Sequence, residues 1–271
     1  GRSPAATALA ALGAARSAPG VTLLVVPTDK DVEQMVDDAR FFWGAVEGAT
    51  EQGVDRAVLP FPSHQVDPYR GMTPHFRVLS ARARALHAAA TLRHGSAQAN
   101  NALLIVASAA ALLPRVSSPE RLRRASIELK PGTEIDPLDL AALLADAGFD
   151  RQDPVDEHGE FTSRGGIVDL FPAGDAQPVR LEFVGDMVES LRRYDPATQR
   201  STEVIDQVAI VPIHERFDED EGMSIVEYLS AAGLRIVVSE FEQVEEIALK
   251  LRTQLDESFA QAGPKAQSQS H

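Results

Sequence analysis

Short apolar runs alternate with helix-forming segments at the start of this chain, and this alternation restricts the possible folds more than any other feature. The run 21–26 is rich in β-branched residues and lies between Gly20 and Pro27, as a strand buried on both faces would. Similar runs follow at 57–61 and 102–107, with helix-forming segments at 5–16, 29–44, 77–93 and 108–113. Strands separated by helices predict a parallel sheet covered on both faces.

The pattern changes near Pro114, where Ser, Pro and Glu at 117–120 interrupt it. An amphipathic helix at 136–148 is followed by three strand-like segments, at 159–171, 179–183 and 187–194, with turns at 173–175 and 185–186 between them. This order predicts a largely antiparallel sheet. After a strand at 208–212 the first pattern resumes, with a helix at 223–231, a strand at 234–238 and a helix at 242–259.

We therefore predict an α/β fold with an inserted, smaller α+β domain. The α/β domain takes residues 1–115 and 213–260, the insertion takes 116–212, and 261–271 form a disordered tail or linker. The chain starts at Gly1 without Met and ends in a polar string, so we expect a fragment of a larger protein.

Composition excludes several classes of function. The sequence contains no cysteine, which excludes disulfides and thiolate metal sites and fits a reducing compartment. No apolar run approaches the ~20 residues of a membrane span, and the Ala-rich segment 5–15 lacks the layout of a signal peptide, so we expect a cytoplasmic protein without a membrane partner. The net charge of −14, from 40 acidic and 26 basic residues, argues against a general nucleic-acid-binding surface.

Three separated motifs carry a family resemblance. They are EHGEFTSRGGIVDLFP at 157–172, PVRLEF at 178–183 and YDPATQRS at 194–201. In this order they closely resemble the second domain of the bacterial transcription-repair coupling factor family (Mfd), whose fold the excision-repair helicase subunit UvrB shares. The resemblance extends upstream through Pro68-Tyr69 and Thr73-Pro74-His75 and covers nearly all of the chain.

The resemblance implies an N-terminal UvrB-homology module: a degenerate RecA-like parallel-sheet domain of the P-loop NTPase fold, with an inserted domain similar to UvrB domain 2 that binds UvrA. It further implies a role in transcription-coupled nucleotide excision repair, in which the module recruits UvrA to stalled RNA polymerase. In the resembled family, the domains that bind RNA polymerase and translocate DNA lie C-terminal to this region. ATP and magnesium would belong to that motor, so we expect no cofactor in this fragment.

The candidate partner-binding residues are Arg164, Arg180, Glu182 and Val184. Arg180 and Glu182 are two residues apart on a predicted strand, so they should point the same way. Arg164 and Arg180 match family arginines at the UvrA contact, and Val184 stands where the family often has an aromatic, a stronger anchor than valine. Phe183 would then face the core. Composition alone favours a plainer interpretation, in which both arginines pair with local carboxylates such as Glu160 or Glu182.

The residues needed for nucleotide hydrolysis are missing. A P-loop needs a Gly-rich turn, a Lys for the phosphates and a Ser or Thr for magnesium, but the corresponding segment 1–7 has no Gly-Lys pair and contains Pro4. Ser239 stands where the metal-binding Asp would be, and Glu240 fits a helix start better than a catalytic base. No His or carboxylate set has a metal-ligand spacing. We expect a non-catalytic fragment.

Two alternatives stay open. The chain could be the N-terminal part of an ATP-dependent UvrB-type helicase, although the missing phosphate loop and the segment 69–75, in place of an aromatic DNA-gripping hairpin, count against this. It could also be an autoinhibitory structural domain that masks the Arg164 and Arg180 face, which is held covered until activation in the resembled family. The polar stretches 51–55 and 218–221 are predicted to be exposed loops without a function.

Overall fold

The computed structural model of the chain describes residues 3–92, 102–173, 175, 177–215 and 221–262. They divide into two compact units, the first drawn from 1–119 and 216–271 and the second formed by Glu120–Glu215. The sequence-based domain limits, at 115–116 and 212–213, stay predictions. No helix in the described part of the chain is both long and apolar enough to cross a membrane.

The helices are α1 (Pro4–Arg16), α2 (Asp29–Glu47), α3 (Glu51–Ala57), α4 (Phe76–Thr91), α5 (Pro119–Ala125), α6 (Pro137–Asp146), α7 (Ile225–Ser230) and α8 (Phe241–Ala262), with short 3-10 turns at Pro68–Arg70 and Ala110–Leu112. The strands are β1 (Gly20–Val26), β2 (Val58–Phe61), β3 (Ala102–Ser108), β4 (Ile127–Leu129), β5 (Asp150–Arg151), β6 (Glu160–Arg164), β7 (Ile167–Leu170), β8 (Val179–Val184), β9 (Met187–Asp195), β10 (Arg200–Val204), β11 (Val208–Ile210) and β12 (Arg235–Val238).

The first unit is built on a parallel sheet with the strand order β12-β1-β3-β2, which confirms the predicted α/β class. All seven residues of β1 are buried, as expected for a strand covered on both faces. One side of the core contains side chains from α1, α2 and the central strands, among them Leu12, Leu24, Met35, Trp43 and Val106. The assignment to the RecA-like, P-loop NTPase fold stays a prediction.

Local sequence signals explain where α2 begins and ends. The Thr28 hydroxyl accepts a hydrogen bond from the Asp31 backbone N–H at 3.3 Å, and the Asp31 carboxylate accepts one from the Thr28 N–H at 3.0 Å. This reciprocal capping box satisfies two N–H groups that the first helical turn leaves without a partner. The helix ends at Glu47, and the C-cap residue Gly48 has a φ of 61°, the left-handed conformation typical of a helix C-terminus.

Three predictions for the first unit were wrong in detail. The supposed loop 51–55 belongs to α3, whose N-cap residue Thr50 accepts a hydrogen bond from the Gly53 N–H. The predicted helix at 108–113 is only the 3-10 turn Ala110–Leu112. Residues 261–262, predicted to be part of a tail, continue α8. Residues 1–2, 93, 218–220 and 263–271, which also carried predictions, lie outside the described residues.

The second unit contains a six-stranded sheet with the order β10-β9-β8-β7-β6-β5, antiparallel except for the pair β5 and β6, and α6 packs on it through buried Leu140 and Leu144. The predicted antiparallel sheet is confirmed. The segment 159–171, however, is a hairpin rather than one strand. It turns at Gly165, whose φ of 58° suits glycine, and at Gly166, where a Cβ would lie 3.1 Å from the Phe183 carbonyl oxygen. The predicted turn at Gly185-Asp186 is present, and Gly174 of the other turn lies outside the described residues.

Short backbone pairings join the two ends of the insertion. In the first unit, Val116 and Met223 exchange both backbone hydrogen bonds, at 2.9 Å and 2.8 Å. In the second unit, β4 near its start pairs with β11 near its end in a separate two-stranded sheet. The chain therefore leaves and re-enters the first unit at neighbouring positions.

Candidate functional site

The strand register of the second unit gathers the predicted site residues on one face of its sheet. Arg164 pairs with Ile167, Ile167 with Glu182 and Glu182 with Ser190, so these four residues form a row across β6, β7, β8 and β9. Residues two positions apart on a strand point to the same side, so the neighbouring row lies on that side as well. It contains Thr162, Asp169, Arg180 and Arg192.

We call these two rows, together with Val184, the polar face. The opposite side of the same strands carries fully buried Val168, Leu181 and Leu191. Phe183, which we expected in the core, is half-buried. Arg180, Glu182 and Val184 alternate along β8 on the polar face, as their spacing predicted.

Arg180 is held firmly by its neighbours on the polar face. Its Nε donates to Asp169 Oδ1 at 2.7 Å and its Nη2 donates to Asp169 Oδ2 at 2.8 Å, while its Cζ lies 4.9 Å from the centroid of the Tyr194 ring. The hydrogen bonds to Asp169 raise the pKa of Arg180 above its ordinary value, although partial burial acts in the other direction. Its carboxylate partner is therefore Asp169, and neither Glu160 nor Glu182 takes that place.

Arg164 lies at the end of β6 and is much more accessible. Its side chain is 63% exposed, and its guanidinium pairs with Asp153. Exposed ion pairs of this kind contribute little to stability because water and salt screen them. Arg164 can therefore exchange Asp153 for a carboxylate of another molecule at small cost.

Glu182 and Val184 differ in how tightly they are held. The Glu182 carboxylate accepts a hydrogen bond from the Ser190 hydroxyl at 2.6 Å, and the same oxygen lies 3.7 Å from Arg192 Nε. Val184 ends β8 beside Met187 and is 58% exposed, so it offers an apolar contact to a partner.

Sequence reasoning missed Asp169 and Arg192. Asp169 had a recognisable signal, since it is a charged residue inside the apolar run Ile167–Leu170, and a buried carboxylate requires a partner. Arg192 had no such signal, because its position next to Arg180 depends on the register between β8 and β9.

Residues from the two segments considered for a nucleotide site, 1–7 and 237–241, line one cavity of the first unit. This open cavity of about 370 Å³ is lined by Thr7 and Ala10 of α1, by the end of β12 with Ser239, and by Glu240 and Glu242. The described lining residues include these two carboxylates but no lysine or arginine that could bind a phosphate. Pro4 occupies the first turn of α1, where it supplies no N–H. In the part of the chain that the structure describes, no group of three or more His, Cys, Asp or Glu side chains could hold a metal ion.

Comparison with known proteins adds independent findings. The model of the UvrB interaction domain family matches residues 127–215, inside the second unit. The chain is 31% identical over 249 residues to the transcription-repair-coupling factor of Myxococcus xanthus, covering 92% of this chain and 19% of that protein. It is 30% identical over 164 residues to the transcription-repair-coupling factor of Escherichia coli K12, covering 60% and 14%. The UvrABC system protein B of Streptococcus gordonii is 31% identical over 173 residues, covering 61% and 26%. The chain thus spans about a quarter of these relatives or less.

Proposed function

We propose that this chain, which is a UvrB-homology module of the transcription-repair coupling factor family, serves as a protein-interaction module that recruits UvrA to stalled RNA polymerase. The general role of such a module is in DNA repair, in agreement with the names of both groups of relatives. Contact with RNA polymerase and DNA, and ATP-driven translocation with magnesium, belong in this proposal to other domains of the full-length protein.

The observation that carries the proposal is the coincidence of two features in the second unit. Residues 127–215 match a family described as an interaction domain, and the same unit presents the polar face. That face combines an exposed arginine with the exposed aliphatic side chains of Ile167 and Val184, and exposed Met187 lies beside Val184. Arginine beside apolar side chains is a combination enriched where proteins bind one another.

The cavity at α1 and β12 supports a non-catalytic role for this region. Phosphate recognition uses backbone N–H groups and a lysine, whereas this cavity presents Glu240 and Glu242. A UvrB-type helicase would need a Gly-Lys phosphate loop and a metal-binding Asp, and this chain has neither in segment 1–7 nor at Ser239. The cavity therefore favours the interaction module over the enzyme.

Calorimetric titration of the chain with UvrA from the same organism tests the proposal. We expect the wild type to bind, and the Arg164→Ala/Arg180→Ala variant to lose about 2 kcal/mol or more of binding free energy. Because Arg180 also binds Asp169, an Arg164→Ala/Val184→Ser variant repeats the test without breaking that pair. Arg200→Ala is the matched control, since Arg200 pairs with Asp195 and so lies on the opposite side of the same sheet.

Circular dichroism establishes that each variant is folded. Absence of binding by the folded wild type would refute the proposed function. Equal binding by the wild type and both double variants would show that the polar face is not the contact.

A further inference from the structure

The two edges of the first-unit sheet differ in how they are protected. At one edge, β2 contains Pro60, which has no N–H to offer, and the Nε and Nη2 atoms of Arg40 donate to the Val58 carbonyl at 3.4 Å and 3.3 Å. Such features keep an edge strand from pairing with further strands. The opposite edge strand, β12, contains no proline, and no strand in the described part of the chain pairs with its outer side.

The backbone of β12 offers hydrogen-bonding groups on this open side. The Ser239 N–H, just after the strand, donates to the Val25 carbonyl of β1 at 2.9 Å. Since the backbone groups of successive strand residues point to alternate sides, those of Ile236 and Val238 point away from β1. Among the described residues, no backbone group is bonded to them on that side. Unpaired groups of this kind are a template for a further strand.

The side chains of β12 are apolar where they are exposed. Arg235 donates to backbone carbonyls at the end of α1, and Val237 packs against the core on the same side. Ile236 and Val238 lie on the other side of the sheet and are 50% and 40% exposed. Phe241, which follows at the start of α8, is exposed as well. Natural edge strands usually carry charged side chains in such positions, so this apolar edge indicates a surface that another segment covers.

The charges at the end of β12 indicate which kind of segment fits. Glu240 and Glu242 line the cavity there, and the described lining residues include no lysine or arginine. A second copy of the chain fits badly, because it carries the same carboxylates and the same net charge of −14. The complementary occupant is an apolar extended segment with a lysine or arginine that reaches the two carboxylates.

The short length of β12 indicates where that segment comes from. The open side presents the backbone groups of two residues, Ile236 and Val238, so a further strand gains few hydrogen bonds. Few hydrogen bonds offset poorly the freedom that a separate molecule loses on binding, whereas a segment of the same polypeptide is already held close. This chain spans about a quarter or less of the relatives it matches, so proteins of this kind contain ample further polypeptide.

We propose that, in the full-length protein, a segment outside the residues of this chain adds a strand to the open edge of β12. The apolar side chains of that segment pack on Ile236 and Val238, and its lysine or arginine binds Glu240 and Glu242. The contact joins the first unit to the rest of the polypeptide beside the cavity at α1 and β12. UvrA binding by the second unit is neither required for this contact nor implied by it.

Hydrogen exchange, followed by mass spectrometry, compares residues 234–241 in this chain alone and in the full-length protein. We expect these amides to exchange at least about tenfold more slowly in the full-length protein, because Ile236 and Val238 gain partners there. In the full-length protein, Ile236→Lys/Val238→Lys should return the exchange to the rate of the isolated chain, since lysine on an edge strand opposes pairing. The matched control is Phe41→Lys, which alters an exposed apolar residue of α2 and should change neither rate.

Equal exchange of residues 234–241 in the two proteins would overturn the proposal. A dimer of the isolated chain that sedimentation detects and Ile236→Lys/Val238→Lys abolishes would overturn it too, because the occupant would then be a second copy. Glu240→Lys/Glu242→Lys should also speed the exchange in the full-length protein, and unchanged protection would refute the contact with a lysine or arginine. If circular dichroism shows that Ile236→Lys/Val238→Lys does not fold, Val238→Lys alone replaces it under the same criteria.

Discussion

Asp169 and Arg180 lie opposite each other on β7 and β8, and their side chains are joined by two parallel hydrogen bonds of 2.7 Å and 2.8 Å. Asp169 is buried and Arg180 is half-buried, so this pair is shielded from water more than the Arg164 and Asp153 pair. Since Arg180 also packs on Tyr194, it ties three strands of the polar face together. Arg180, the arginine of the motif at 178–183, thus contributes to the stability of the sheet.

Asp169→Asn should destabilise the second unit by about 2 kcal/mol, because it leaves a half-buried guanidinium without its charged partner. Hydrogen exchange of the β7 and β8 amides measures this local free energy. The matched control is Asp153→Asn, which removes the exposed partner of Arg164 and should cost less than about 0.5 kcal/mol. Equal effects of the two substitutions would contradict the structural role of the Asp169 and Arg180 pair.

The burial of the Tyr194 hydroxyl leads us to expect a loss of stability in alkaline solution. Its hydroxyl donates to the Val155 carbonyl at 3.2 Å, and burial, aided by the nearby Asp169 carboxylate, raises the pKa of the phenol. Above the ordinary tyrosine pKa of about 10, the unfolded chain releases this proton while the folded chain keeps it, so stability falls as the pH rises.

Urea unfolding of the wild type and Tyr194→Phe, followed by circular dichroism from pH 8 to 11, checks this. The difference in unfolding free energy between the two proteins should be constant up to about pH 10, and should then shrink by up to about 1.4 kcal/mol per pH unit. A difference that does not change with pH would mean that Tyr194 titrates normally.

Two glycines of the first unit should respond to alanine in opposite directions. Gly20 has a φ of 119°, and a Cβ there would lie 2.5 Å from the Gly233 carbonyl oxygen, so Gly20→Ala should cost at least about 2 kcal/mol. Around Gly13, in α1, a Cβ would meet nothing within 4 Å, so Gly13→Ala should stabilise by about 0.5–1 kcal/mol. Trp43 is the only tryptophan and a core residue of the first unit, so its fluorescence measures the unfolding of both variants by urea. Equal shifts in one direction would contradict the geometry at Gly20.

The cavity at α1 and β12 should fail to bind nucleotide. We expect no saturable binding of ATP with magnesium at millimolar concentration and no phosphate release above background, since segment 1–7 has no Gly-Lys pair to hold the phosphates and Ser239 replaces the metal-binding Asp. Equilibrium dialysis and a phosphate-release assay check the two statements, with an intact P-loop ATPase as the positive control. Measurable hydrolysis that is lost on Ser239→Ala would restore the enzyme interpretation.

The strands of the first unit could be predicted because their side chains alone show double-sided burial, as in the run from Val21 to Val26. The α3 helix could not be predicted, because seven residues interrupted by Gly53 are too few to form a helix on their own, and it relies on the Thr50 cap and on the packing of Val54 into the core. A segment could thus be predicted when its own side chains reveal its environment, and could not be predicted when its stability depends on contacts with distant residues.

The same distinction applies to the polar face. The common direction of Arg180 and Glu182 follows from their spacing within one strand. The partner of Arg180 depends instead on how β7 and β8 align, and the hairpin turn at Gly165 and Gly166 that sets this alignment was hidden in a segment that resembled one long strand. The proximity of Arg192 to Arg180 depends on a second alignment, between β8 and β9, so it could not be predicted from the sequence either.

The backbone pair of Val116 with Met223 has a consequence for how such a protein can evolve. Since these residues exchange two hydrogen bonds, a tight turn could connect them, and the first unit would close without the intervening hundred or so residues. The matching pair of β4 and β11 likewise holds the ends of the second unit side by side. Because its two ends lie side by side, the insertion could move as one segment from one gene to another. It could also be grafted into a surface loop of another protein.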